Sequence, residues 1–243
     1  MTSSETLSSD SLSSGTLSSD RSENRGVLII ISSPSGAGKT TLAKKLLKEF
    51  VDMKFSISFT TRPKRRGEVH GVDYFFVDDA TFDKMIADDA FAEWATVHQN
   101  RYGTSRTVVE NALQHGEDVV FDVDWQGGES LALSWPKDAL MIFVLPPSWK
   151  VLEARLRNRD TDSPQVIERR MDMALIELSH FDSYEYSLVN DSLEESYQEL
   201  RAMVRHRKGI ATSDDLALLK RIAGIDYSSF METLLKDGKT SRG

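Results

Sequence analysis

The run "SPSGAGKTT" (33–41) carries the residue types that hold a polyphosphate. It follows the pattern of a phosphate-binding loop, G-x-x-x-x-G-K-[ST], with Ser33 where the first glycine is expected. Gly36 and Gly38 fall at the later, tight points, where a missing Cβ lets backbone N–H groups close around an anion. Lys39 can reach the β- and γ-phosphates, and the Thr40 hydroxyl can serve Mg²⁺. Ser33 stands at a strand exit, where a negative φ is expected and a side chain costs little.

Four further groups of residues could complete a reaction. "TTRPKRRGE" places Arg62, Lys64, Arg65 and Arg66 close together, and Tyr74 follows in "GVDYFF". Two arginines can grip a phosphate by bidentate hydrogen bonds and a tyrosine hydroxyl can add another, which reads as a site for a second phosphate. Glu93, in "FAEWATVHQNRYGTS", is a carboxylate able to accept from the N1–H and N2–H₂ donors of guanine, a pair that adenine lacks. Asp122 and Asp124 close the apolar run "DVVFDVD", where carboxylates at a strand end can hold Mg²⁺ or its waters, and Trp125 reads as a packing residue. Arg155, Arg157, Arg159, Arg169 and Arg170 crowd 151–174, with Arg155 and Arg159 one helical turn apart. They form either a solvated charged helix or a lid that brings positive charge to a transferring phosphoryl group and excludes water.

The elements that must position these residues are visible in the hydrophobic pattern. "VLIII" (27–31) is a strand buried on both faces, and "TLAKKLLKEF" continues as a helix with Leu42, Leu46 and Phe50 on one stripe. Strand, loop and helix in that order are the context a phosphate loop requires. Further strands are expected at 118–124, 139–147 and 186–191, and helices around 79–88, 105–115, 149–158, 164–180 and 193–207. Such alternation implies a parallel sheet covered on both faces. Residues 54–104 are irregular, rich in glycine and charge, and suit an inserted lobe with a small sheet of its own. Residues 209–243 form an appendage of one or two amphipathic helices, whose docking the pattern does not decide. At the other end L-S-S-[DG] recurs at 7–10, 12–15 and 17–20, and 1–25 is too poor in apolar residues to offset its ordering entropy; disorder is expected.

Composition bounds the function. The chain has 243 residues, a formal net charge of -8, no cysteine and five histidines without ligand-like spacing. Disulfides, thiolate metal sites and a cysteine nucleophile are excluded together. A broad nucleic-acid surface is disfavoured, so phosphate binding must come from local positive charge. No apolar run approaches the roughly 20 residues needed to span a bilayer, no signal-peptide core is present, and cytoplasmic residence is expected.

Taken in order, "SPSGAGKTTL", "SISFTTRPKRRGEVHGVDYFFV", "FAEWATVHQNRYGTS", "DVDWQGG" and "LPPSWKVLEARLRNRDTD…IERRMDMA" resemble the guanylate kinase family over 27–208. The resemblance implies a three-layer α/β/α P-loop fold with a central parallel sheet: core 26–53, 105–150 and 174–208, a small mixed β lobe for the nucleoside monophosphate at 54–104, and a helical lid at 151–173. It implies Mg²⁺-dependent phosphoryl transfer from ATP to GMP, with dGMP as a further acceptor. On the motifs, Ser35, Gly36, Ala37, Gly38, Lys39, Thr40 and Thr41 would cradle ATP, with Arg155 and Arg159 from the lid. Ser58, Glu93 and Thr104 would meet guanine, with Asp122 near its edge. Arg62, Arg65, Tyr74 and Tyr102 would hold the GMP phosphate, and Arg170 would approach from the lid. Lys39, Arg62, Arg159 and Arg170 would act on the transferring group, and Thr40 and, through water, Asp122 would hold Mg²⁺. Monomer and homodimer stay open.

The chain departs from the family pattern at Phe59, Gln99 and Asp160, where histidine, glycine and glycine are frequent; none of these removes an assigned charge or donor. Rival readings are a catalytically dead binding module of the same fold, a regulatory GTPase and a kinase for another monophosphate. The first conflicts with the intact Gly38-Lys39-Thr40, the second with the absence of an N-K-x-D motif, and the third with Glu93.

Overall fold

The computed structural model of the chain describes residues 25–97, 99–158 and 164–241. The tail expectation for 1–24 and the expectations for Arg159 and Asp160 lie outside these residues. Arg25 belongs to the fold, its Nη2 2.9 Å from Asp138 Oδ2.

The central sheet has five strands: β1 (Leu28–Ser32), β2 (Lys54–Phe55), β7 (Val119–Asp122), β8 (Ala139–Leu145) and β9 (Tyr186–Val189), in the order β2-β7-β1-β8-β9. Every pairing is parallel. All five residues of β1 are buried, which is why Leu28 to Ile31 are continuously apolar rather than alternating. Between β2 and β7 the chain builds a second sheet from β3 (Phe59–Thr60), β4 (Phe75–Phe76), β5 (Phe91–Val97) and β6 (Asn100–Ser105), in the order β4-β3-β6-β5. Here β3 and β4 are parallel, whereas β6 is antiparallel to both β3 and β5. This lobe has an aromatic core of its own: Phe59 stacks on Phe75 at 4.7 Å, and Phe82 meets Phe91 at 4.5 Å. Phe59, the first departure from the family pattern, therefore packs.

The helices are α1 (Lys39–Glu49), α2 (Asp79–Ala87), α3 (Arg106–Gln114), α4 (Trp125–Ser134), α5 (Trp149–Arg157), α6 (Pro164–Leu178), α7 (Leu193–Arg207), α8 (Ser213–Ala223) and α9 (Tyr227–Thr240). Asp78, Ser105, Asp124, Ser148, Ser192, Thr212 and Asp226 cap the starts of α2, α3, α4, α5, α7, α8 and α9 with their side chains. Helix α1 begins at Gly38 with no side-chain cap, so no side chain covers its N-terminus against a ligand.

The C-terminal appendage docks. Leu219 and Ile222 of α8 join Leu200 and Met203 of α7 in the core behind β1. Met231 and Leu234 of α9 join Trp149, Leu152, Ile167 and Met171, so α9 underpins both α5 and α6. Each such burial contributes roughly 1.5–3 kcal/mol. Gly238 permits the closest approach, since a Cβ there would lie 2.8 Å from both Trp149 and Leu175. No helix among the described residues is long and apolar enough to cross a membrane.

The departure at Gln99 has a backbone consequence. In the turn between β5 and β6 it adopts φ 70°, the left-handed region in which glycine is unstrained.

Candidate active site

The phosphate loop leaves the C-terminal end of β1 and lies beside the corresponding end of β7, where open parallel sheets bind ligands. Gly36 and Gly38 have φ 94° and 100°, and a Cβ on Gly38 would come 2.2 Å from Asn190 Nδ2. Both glycines are thus demanded by conformation, and the second also by space. Ser33 is buried and not among the residues with positive φ; its hydroxyl donates to the Pro34 carbonyl at 3.0 Å. The serine is tolerated because the tight turns come later. The Ala37 carbonyl is drawn to the outer side of the loop by Asn190 Nδ2 at 2.6 Å and Arg155 Nη1 at 3.4 Å.

On the inner side Asp122 organises the cationic groups. Its Oδ1 is 2.6 Å from Lys39 Nζ, and its Oδ2 accepts from the Thr40 hydroxyl at 2.7 Å. Lys39 Nζ also donates to the Val123 carbonyl at 2.9 Å. Burial works against ionisation of Asp122, but the Lys39 ammonium and the hydrogen bonds from Lys39 and Thr40 outweigh it, holding its carboxyl below the usual range.

Opposite the loop, β5 and β6 present Glu93, 8% exposed, whose Oε1 accepts from the Thr104 hydroxyl at 2.6 Å. Burial pushes Glu93 up to about 7, the Thr104 hydrogen bond opposes this, and the nearby Asp124 adds to it. Gly127 at the start of α4 leaves room for this carboxylate, since a Cβ there would lie 2.9 Å from Glu93 Oε2. Arg62 is buried beneath Tyr74 and Phe76, its guanidinium 5.2 and 5.7 Å from their ring centres, and both its Nη atoms meet the Glu68 carboxylate at 2.7–3.1 Å. Tyr74 in turn makes an edge contact with Tyr102 at 5.9 Å.

One cleft of about 390 Å³ collects Ser35, Gly36, Gly38, Lys39, Thr40 and Thr41 with Ser58, Tyr74, Glu93, Tyr102, Asp122 and Arg170. Arg155 lines a second hollow on the far side of the loop, with Gly36, Gly38, Thr41 and Asn190. Ala37, Arg62, Arg65 and Thr104 do not line the first cleft: Ala37 and Thr104 are buried, Arg62 stands behind Tyr74, and Arg65 is exposed. Trp125 packs, stacked on His180 at 3.4 Å.

Sequence reasoning missed Asn190, Glu68 and Glu177. Asn190 follows β9 at the same sheet end as the phosphate loop, which was a usable signal. Glu177 reaches the site from the last turn of α6, and its Oε2 accepts from Ser35 N at 3.3 Å.

A parallel sheet bearing a lysine-containing phosphate loop, faced across a cleft by a second lobe, defines a P-loop kinase of small phosphorylated acceptors. The guanylate kinase family model matches residues 25–207. The guanylate kinase of Zymomonas mobilis subsp. mobilis is 51% identical over 181 residues, covering 74% of this chain and 84% of its own. That of Hyphomonas neptunium is 44% identical over 216 residues, 89% of this chain and 95% of its own. The crystal structure of guanylate kinase from Anaplasma phagocytophilum superposes with a TM-score of 0.64 at 29% identity, covering 84% of this chain and 98% of that one. The chain belongs to the guanylate kinase family, and it is an enzyme, a nucleoside monophosphate kinase.

Proposed function

We propose that the enzyme transfers the γ-phosphoryl group of ATP to GMP, and to dGMP, giving ADP and the guanosine diphosphate in the cytoplasm. The observation that carries this reading is the buried Glu93–Thr104 pair on the same cleft as Lys39. Thr104 occupies one carboxylate oxygen and leaves the other for the N1–H and N2–H₂ edge of guanine, with Ser58 beside it. The acceptor phosphate falls to Arg62, Arg65, Tyr74 and Tyr102, and must compete with Glu68 for the Arg62 fork.

The N–H groups of Gly36 to Thr41 take the ATP phosphates, with Arg155 on the outer side of the loop. Thr40 Oγ1 and, through water, Asp122 would hold a hard divalent cation; here the Thr40 hydroxyl donates to Asp122 Oδ2 at 2.7 Å. Among the described residues no group of three or more acidic, histidine or cysteine side chains offers a rival site. Bound there with ATP, Mg²⁺ would supply neutralisation of phosphate charge. The acceptor phosphate oxygen attacks the γ-phosphorus in line, without a covalent enzyme intermediate. Its second ionisation lies near 6, so it needs no general base at neutral pH. Lys39 exchanges Asp122 for the phosphates, while Arg170, with Arg159, spreads the developing charge.

A coupled assay of ADP production with GMP, dGMP, AMP, UMP and CMP tests the reading. The two guanine nucleotides should be strongly preferred, and Lys39→Ala should abolish turnover; equal use of AMP would overturn the guanine assignment.

A further inference from the structure

Glu177 is a half-buried carboxylate to which the transfer described above gives no part. It sits seven residues after Arg170 on α6, two turns along, so that both side chains reach the same cleft. Its Oε2 accepts from Ser35 N at 3.3 Å, a donor of the kind that phosphate oxygens use in such loops. Its carboxylate is attracted by Lys39 and repelled by Asp124. Helix α6 is already fastened by Ile167, Met171, Ala174 and Leu178, so packing alone gives no reason for an acid at this position.

We propose that Glu177 is a positioning residue for ATP: its carboxylate holds a phosphate-loop N–H until the triphosphate arrives, setting ATP affinity and coupling the seating of α6, with Arg170, to occupancy of the loop. An anionic phosphate and an ionised carboxylate compete for one concave set of N–H groups, so the acid opposes ATP binding while keeping the loop and α6 in register. The inference rests on the ATP-kinase reading above.

The test uses the full chain, with steady-state kinetics for each substrate and equilibrium binding of a non-hydrolysable ATP analogue. Glu177→Gln retains an acceptor for Ser35 N–H and removes the charge. At pH 8, where Glu177 is mostly ionised, the Kd for the analogue and the KM for ATP should fall by about three- to tenfold, with the KM for GMP held. Glu177→Ala also removes the acceptor and should lower kcat by about tenfold, with Gln restoring most of it. Unchanged or weaker analogue binding in Glu177→Gln, or equal kcat in the two variants, overturns the proposal. If the wild-type enzyme makes no ADP with GMP, the proposed function fails instead, and analogue binding still decides the part played by Glu177.

Discussion

Glu93 offers the sharpest test of how the cleft selects its acceptor. Burial pushes its carboxyl up to about 7, yet only the ionised form can accept from both donors on the guanine edge. With that value about nine-tenths of the free enzyme is ionised at pH 8 and about one-tenth at pH 6. The kcat/KM for GMP, which reports ionisations of the free enzyme, should therefore fall by about tenfold between these values. The second ionisation of GMP, near 6, contributes in the same direction. Glu93→Gln separates the two, because it keeps the shape and the contact to Thr104 while placing an NH₂ against the guanine donors. Loss of one charge-assisted hydrogen bond of about 1.5–3 kcal/mol should cost roughly 10- to 150-fold in kcat/KM at pH 8. The variant's remaining pH slope should be that of the nucleotide alone. A Glu93→Gln enzyme with the wild-type slope, or with undiminished preference for GMP over AMP, would refute the reasoning.

The same burial has a consequence for stability. Glu93 and Glu177 both stand at about 7 against an ordinary 4.5, so between these values the folded state holds protons that the unfolded state has lost. Their contribution is complete below pH 4.5, declines as pH rises to 7, and is flat beyond, worth on the order of 3 kcal/mol per group at most. Thermal melts should show Tm falling over that window, with Glu93→Gln reducing the slope. Gln99→Gly should raise Tm by about 1–3 °C, since relief of about 1–2 kcal/mol of left-handed strain exceeds the extra chain entropy of glycine. Gly238→Val should lower Tm by roughly 4–8 °C, because the new side chain meets Trp149 and Leu175 where about 2 kcal/mol of overpacking cannot be relieved; an unchanged Tm would mean that α9 is free of α5 and α6.

Much of the site was legible from residue type and spacing because its chemistry is local. The phosphate loop needs glycine only where φ is positive, and Gly36 and Gly38 are those positions, which explains Ser33. Gln99 was harder: nothing in its chemistry is lost, and only the turn's left-handed backbone shows the cost of departing from glycine. Arg62 illustrates a different limit. Its type predicted phosphate binding, but a guanidinium also stacks on aromatic rings and pairs with carboxylates, and the fold sets it behind Tyr74 against Glu68.

The sequence by itself determined the strand–loop–helix unit, the alternation that makes a parallel sheet, and the basic and acidic residue types found in the cleft. These follow from backbone conformation and hydrophobic period, which act over a few residues. Only the tertiary structure decided that α8 and α9 dock, that Asn190 holds the outside of the phosphate loop, and that Glu177 meets Ser35 across 142 residues of chain. Those contacts depend on which helix faces pack together, and amphipathic patterning says that a face is buried without saying against what.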